Sequence, residues 1–148
     1  MAVPLFAILL SGVALKTFSH CQIPCGIYDD DARFKLLNEH ITTIEKSMKS
    51  IVQLSQDKAN VNQIVRWVQN KDHHADAFSE IITQYFLAQR IKPVSETDAK
   101  AYHDYTQKLV LLHQSIFHAM KAKQTTDLNH VETLRQLVSE FHERYSAH

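Results

Sequence analysis

The chain has 148 residues, a length that suits one domain with a real core but hardly two. Lys plus Arg and Asp plus Glu both number 16, so the formal net charge is zero and the basic excess of a nucleic-acid-binding surface is missing. With 2 Gly, 3 Pro and 2 Cys, the composition favours helices and excludes a disulfide-rich secreted scaffold.

Residues 1–19 are predicted to form a leader that is removed on maturation. The apolar run 3–10, continued at 13–15, is shorter than the ~20 apolar residues of a transmembrane helix, so no stable membrane insertion is expected. The run resembles the core of a signal peptide with small Ser19 before the cut, although no Lys or Arg precedes it. Two interpretations stay open: export, or a cytoplasmic protein that loses a pro-segment to a maturation protease.

The segment HCQIPCGIYD, residues 20–29, holds both cysteines of the chain. A cut after Ser19 would expose an N-terminal amine beside the His20 imidazole, close to the Cys21 backbone nitrogen and two thiolates. Amine, amide nitrogen and two sulfurs can close a square plane with the imidazole above it, a geometry that suits Ni(II) or Cu(II) better than zinc. Such ligands also stabilise a higher oxidation state, which indicates redox chemistry. The alternative is a small disulfide loop, or free thiols, at Cys21 and Cys25.

The motif HCxxPCGxYD resembles the nickel hook of the nickel-containing superoxide dismutases, and a looser similarity continues at residues 44–46 and 84–86. The resemblance implies a precursor whose leader is removed so that the histidine becomes the first residue. It further implies that His20 supplies the amine and an axial imidazole, Cys21 an amide nitrogen and a thiolate, and Cys25 the second thiolate. One nickel ion per subunit is the implied cofactor. Residues 20–29 are called the hook below.

The resemblance also implies roles around the metal. Tyr28 would stand near the open face of the nickel and limit access to small molecules, and Pro24 would shape the hook. The Glu–Arg pair with which the family holds the axial histidine has no clear counterpart here, and Lys35 and His74 fall near those places. A homohexamer is implied, with hooks shielded where subunits meet. Trp67 is a candidate for such an interface because large amphipathic rings favour it.

Four segments after the hook carry apolar residues in alternating three- and four-residue steps, which is the spacing of one helix face. They run from about 31 to 55, 59 to 91, 96 to 123 and 127 to 145, and their short connections favour antiparallel neighbours. The expected fold class is all-α: an up-down-up-down four-helix bundle, residues 30–148, that forms one mature domain, 20–148, with the N-terminal metal-binding hook. The apolar stripes are Phe34, Leu37, Ile41, Ile44, Met48 and Ile51; Val61, Ile64, Val68, Ala75, Phe78, Ile82 and Tyr85, interrupted by Lys71; Tyr102, Tyr105, Leu109, Leu112, Ile116 and Met120; and Val131, Leu134, Val138, Phe141 and Tyr145.

The bundle segments lack the sequence motifs of other common metal and haem sites. Glu-x-x-His, which builds di-iron sites in helix bundles, does not occur, and neither does Cys-x-x-Cys-His. Among ten histidines, the neighbours His73 and His74 would point about 100° apart on a helix and could not chelate one ion as an i, i+4 pair can. The bundle is therefore interpreted as scaffold, with His74 as a possible support for the imidazole of the hook.

These features predict a superoxide dismutase that disproportionates superoxide to dioxygen and hydrogen peroxide by Ni(II)/Ni(III) cycling. The residues expected to carry the reaction are His20, Cys21, Cys25 and Tyr28. While Ser19 is attached, the His20 nitrogen is an amide, so the precursor is expected to be inactive. Two other classes stay open: a nickel carrier or sensor that shares the hook without turnover, and a secreted interaction bundle of cytokine type that needs no metal.

Overall fold

The computed structural model describes residues 30–56 and 58–147, and these residues form helices and no strand. The prediction of an all-α chain with four helical segments is confirmed. No helix within this part of the chain is long and apolar enough to cross a membrane. The elements are α1 (Asp30–Leu54), a 3₁₀ turn (Lys58–Asn60), α2 (Val61–Glu80), a π-helical segment that continues it (Ile81–Arg90), α3 (Ala99–Gln124) and α4 (Asn129–Ser146).

One apolar core lies between the helices. α1 packs on α2 and α4, and α3 packs on α2 and α4, so every helix has two neighbours. Full burial of a Leu, Ile or Phe side chain contributes about 1.5–3 kcal/mol, which makes this core the main source of stability. Its members are Phe34, Leu37, Ile41, Ile44, Met48, Ala75, Phe78, Ile82, Tyr85, Phe86, Leu111, Leu112, Ala119, Ala122, Val131, Leu134, Leu137, Val138 and Phe141.

The first half of α2 does not present its predicted stripe to the core. Val61 is 60% exposed and Val68 is 36% exposed, whereas Lys71 is only 3% exposed. The Lys71 ammonium donates hydrogen bonds to the carbonyls of Ala122, at 2.6 Å, and of Lys123, both in the last turn of α3. Carbonyls there lack intrahelical partners, and the helix dipole favours a cation. The prediction that this apolar stripe is buried is therefore wrong at Val61 and Val68, and a polar side chain of the same face, Lys71, is buried.

α3 also turns a different face inward from the one that was predicted. Leu112 is the one buried member of the predicted stripe, and Met120 is 38% exposed. Buried positions are occupied instead by residues that include Lys108 and Ser115. Lys108 forms an ion pair of 2.8 Å with an aspartate one turn earlier, and the Ser115 hydroxyl donates to the Leu111 carbonyl at 2.8 Å. These polar groups can be buried because they have partners.

Candidate metal centre

The residues predicted to form the metal site lie outside the part of the chain that the structure describes: His20, Cys21, Cys25 and Tyr28. Within residues 30–56 and 58–147, no group of three or more His, Cys, Asp or Glu side chains could hold a metal ion. The chemistry of the hook's donor set, with thiolate and nitrogen ligands, fits nickel. The structure does describe the point where the hook joins the bundle, which is Asp30, the first residue of α1.

Three side chains from two other elements hold the carboxylate of Asp30. The Tyr85 hydroxyl donates to Oδ1, and so does Arg90, from Nε at 3.0 Å and from Nη2 at 2.7 Å. The Tyr145 hydroxyl, at the end of α4, donates to Oδ2 at 2.7 Å. Both oxygens of the carboxylate are thus occupied by charged or hydroxyl donors. We call Asp30, Tyr85, Arg90 and Tyr145 the root network, because they meet where the hook joins α1.

The electrostatics of the root network keep the carboxylate charged and the phenols protonated. Burial by itself would raise the pKa of Asp30, but hydrogen bonds from Tyr85, Tyr145 and Arg90 outweigh it, and the pKa lies below its usual value. Burial, followed by the hydrogen bond to Asp30, raises the pKa of Tyr85 and of Tyr145. The hydrogen bond to Asp30 also raises the pKa of Arg90. All three donors therefore retain their protons at neutral pH.

The π-helical segment Ile81–Arg90 explains how Tyr85 and Arg90 reach one carboxylate. Each residue of an α-helix advances by roughly 100°, so side chains five positions apart would diverge by roughly 140°. A π-helix closes i→i+5 hydrogen bonds, as between the Ile91 N–H and the Phe86 carbonyl at 2.9 Å, and brings such residues nearly in line. The role of Arg90 is not visible in the sequence pattern, because a regular α-helix would place it away from Tyr85. π-Helical turns are frequent at functional sites.

An aromatic cluster adjoins the root network and fixes its tyrosine on α4. The Phe86 ring centroid lies 5.0 Å from those of Phe34 and Phe141, and 5.6 Å from that of Tyr145. The His142 ring stacks on Phe34 at 3.9 Å. The three phenylalanines are at most 3% exposed, and dense packing of this kind restricts side-chain rotamers. Tyr145 belongs to this cluster, so its ring packs against the core.

A cleft of about 770 Å³ opens beside the root network. Arg90 and Tyr145 line it, so it borders the point where the hook leaves the bundle. A cleft with an excess of one charge attracts ions of the opposite charge. The charged residues that line the cleft are the cations Arg90, Lys92, Lys100 and Lys108 and the carboxylates Asp98 and Asp104.

The two residues considered as replacements for the family's Glu–Arg pair lie elsewhere on the described surface. Lys35 is exposed on α1. His74 places its Nδ1 atom 2.8 Å from Nδ1 of His40, so one ring donates and the other accepts. His40 lies ten residues beyond Asp30, about 15 Å along the helix axis. Support of the hook by His74 stays a prediction, whereas the pair of Asp30 with Arg90 is a carboxylate–guanidinium contact at the base of the hook.

Comparison with known proteins identifies the family. The family model of the nickel-containing superoxide dismutases matches residues 15–148, which include the hook and all four helices. Searches of curated proteins and of solved structures found no match. The family match extends over most of the chain and carries with it the nickel cofactor and the oxidoreductase activity. This chain therefore belongs to the nickel-containing superoxide dismutases.

Proposed function

We propose that the mature chain begins at His20 and disproportionates superoxide to dioxygen and hydrogen peroxide at the hook. The observation that carries the proposal is a family match that includes a complete HCxxPCGxYD motif. The nickel would be held by the amine and imidazole of His20, the backbone nitrogen and thiolate of Cys21, and the thiolate of Cys25. When bound there, nickel supplies one-electron redox chemistry between its divalent and trivalent states.

The residues of the hook would prepare the site and deliver protons. Removal of the leader converts the His20 nitrogen from an amide into an amine, so processing completes the donor set. Two superoxide ions and two protons give one dioxygen and one hydrogen peroxide, so each turnover consumes two protons. The Tyr28 hydroxyl and the backbone N–H groups of the hook are the candidate donors. Tyr28 would also limit access to the metal to small molecules.

The cationic cleft supports an approach path for the anionic substrate. Its four basic side chains exceed its two carboxylates, and one of those carboxylates, Asp104, is paired with Lys108 at 2.8 Å. Arg90 is paired with Asp30 at 2.7 Å, so the remaining positive excess comes from Lys92 and Lys100 against Asp98. This excess would raise the local concentration of superoxide beside the base of the hook. This attraction acts on association and therefore on kcat/KM.

We also infer an antiparallel, up-down-up-down course of the helices. The contacts of Asp30, at the start of α1, with Arg90 and Tyr145, at the ends of the π-helical segment and α4, support it. So does the contact of Lys71, in α2, with the last turn of α3. Helices that run in alternate directions bring these ends together.

A homohexamer is the proposed assembly, and α2 carries a surface suited to a subunit contact. Val61, Val65 and Val68 are between 36% and 60% exposed, and half-buried Trp67 lies on the same helix with the Lys46 ammonium 5.9 Å from its ring centroid. Exposed apolar residues that recur on one helix face are typical of interfaces. Sedimentation equilibrium of the nickel-loaded protein tests this assembly, and a monomer would contradict it.

The experiment that tests the proposed function measures three quantities on one sample of native protein: the N-terminal mass, the nickel content and superoxide consumption. We expect a chain that starts at His20, about one nickel per chain, and rapid loss of superoxide. Nickel without turnover would instead identify a carrier or sensor. An intact disulfide between Cys21 and Cys25 would favour the interaction bundle. Recovery of the processed chain from the medium or from the cytosol would decide between export and a pro-segment.

Replacement of a thiolate ligand gives the matching mutational test. Cys25→Ser should abolish the activity, because an alcohol is a poor ligand for nickel and does not stabilise its higher oxidation state. The matched control is Gln22→Ala, which changes a side chain between the two cysteines that lies outside the proposed donor set. Retained turnover in nickel-loaded Cys25→Ser protein would contradict the ligand assignment.

A further inference from the structure

We propose that the root network positions the hook, and that Tyr145 is a positioning residue for the nickel site. The inference rests on the proposed function, because it supposes that the hook binds nickel. Its basis is the convergence of three donors on Asp30, the residue from which the hook departs. Asp30 belongs to α1, Tyr85 and Arg90 belong to the π-helical segment, and Tyr145 belongs to α4. One carboxylate thus joins three elements.

The tether between this network and the metal ligands is short. Cys25 precedes Asp30 by five residues, and five extended residues span at most about 18 Å. A shift or rotation of the first turn of α1 would therefore move the point to which the last ligand of the hook is tethered. The first turn of a helix frays easily, because its first four N–H groups lack intrahelical partners. Fixing the side chain of Asp30 removes this freedom at the place where it would affect the metal.

The contacts in the network are strong enough for this task. The carboxylate of Asp30 is ionised, and hydrogen bonds to a charged group are roughly twice as strong as neutral ones. The two oxygens are held from different directions, because Arg90 donates to Oδ1 and Tyr145 donates to Oδ2. An acidic residue that served only as a helix cap would need one backbone contact. Two oxygens bonded to distant elements define an orientation as well as a position.

Tyr145→Phe isolates the effect of one hydrogen bond from that of packing. The Tyr145 ring lies 5.6 Å from the ring centroids of Phe86 and Phe141, so a phenylalanine retains these aromatic contacts. The matched control is Tyr105→Phe. Tyr105 lines the same cleft, and its ring pairs with that of Tyr102 at 6.2 Å. Asp30→Asn provides a second perturbation of the same network, because it removes the charge and leaves the shape.

The experiment uses nickel-loaded protein that begins at His20 and measures nickel release to an excess of chelator, together with the electron paramagnetic resonance spectrum of the oxidised protein. We expect Tyr145→Phe and Asp30→Asn to release nickel about tenfold faster than the parent, which corresponds to about 1.4 kcal/mol. Their spectra should broaden, because the His20 imidazole would take a wider range of positions. Tyr105→Phe should behave as the parent in both measurements.

The outcomes separate this inference from the proposed function. Suppose that the parent protein binds nickel and turns over superoxide, and that Tyr145→Phe and Asp30→Asn match Tyr105→Phe in nickel release rate and spectrum. This result would overturn the positioning role and leave the dismutase activity intact. The positioning role would also be overturned if the two variants changed only the thermal unfolding temperature of the metal-free protein and neither nickel release nor the spectrum. A parent protein without nickel would overturn the proposed function and, with it, the basis of the positioning role.

Discussion

Replacement of the buried ammonium of Lys71 is the sharpest test of how the bundle is held together. Lys71 is 3% exposed, and its Nζ atom donates to the carbonyls of Ala122, at 2.6 Å, and Lys123 in the last turn of α3. An ion pair with Asp72 at 3.3 Å completes its contacts. Lys71→Met keeps most of the apolar stem and removes the three N–H donors, so it probes the polar contact more than the packing.

The expected loss follows from two opposing effects. A buried carbonyl left without a donor costs about 1–3 kcal/mol, so two carbonyls set an upper limit of about 6 kcal/mol. Burial opposes this, since it lowers the pKa of Lys71, and the neighbouring carboxylate of Asp72 offsets only part of the effect. The variant does not have to bury a charged group on folding, and this offsets part of the loss in the free energy of unfolding. We therefore expect Lys71→Met to lower the free energy of unfolding by about 2–4 kcal/mol.

The assay is urea unfolding of metal-free protein at neutral pH and fixed protein concentration, followed by far-ultraviolet circular dichroism, so that metal binding and assembly do not alter the result. Lys123→Met is the matched control. The Lys123 ammonium pairs with Asp76 at 2.7 Å, but the two side chains are 35% and 65% exposed, so its loss should cost at most about 1 kcal/mol. Equal effects of the two variants would refute the assignment of Lys71 as the buried cap of α3.

Two further predictions concern pH and charge. Burial, with a smaller contribution from the facing histidine, lowers the pKa of His40, so the unfolded chain binds more protons; stability should be full above about pH 6.5 and fall as the pH drops below it. In urea unfolding, His40→Asn should lower the free energy of unfolding by about 1 kcal/mol and should lose much of its dependence on pH. The exposed control His113→Asn should keep that pH dependence. Equal pH dependence in the two variants would contradict the role of the His40–His74 pair. Lys100→Glu in the cleft should lower kcat/KM several-fold at low salt and less at high salt, and Lys121→Glu, about 30 Å further along α3, should not. A salt-independent loss in Lys100→Glu would argue against attraction of the substrate.

Local pattern was sufficient wherever apolar spacing and packing agree. In α1, Phe34, Leu37 and Ile41 are buried as predicted, and α4 likewise buries Val131 and Leu134. These helices have apolar residues on one face and polar residues opposite, so the period alone identifies the inward side. The hook is also a local signal, because its nitrogen and sulfur donors occur within a few consecutive residues and require no tertiary structure to be recognised.

The pattern failed where polar side chains found buried partners. Lys71 reaches carbonyls 51 and 52 residues away along the chain, and Lys108 is buried through a pair with Asp104. A hydropathy pattern assigns such residues to the surface, because hydropathy reflects the free-energy cost of burying a charge. It contains no information on hydrogen-bond partners that lie far away in the sequence.

The sequence by itself determined the helical class, the boundaries of the helices to within a few residues, and the HCxxPCGxYD motif from which the family could be recognised, because these depend on neighbours along the chain. Only the tertiary structure decided what lies at the base of the hook. Tyr85, Arg90 and Tyr145 approach Asp30 from 55, 60 and 115 residues away, and two of them do so through a π-helical register. Such a contact is made by the folded bundle as a whole, since no short stretch of sequence contains both the carboxylate and its donors.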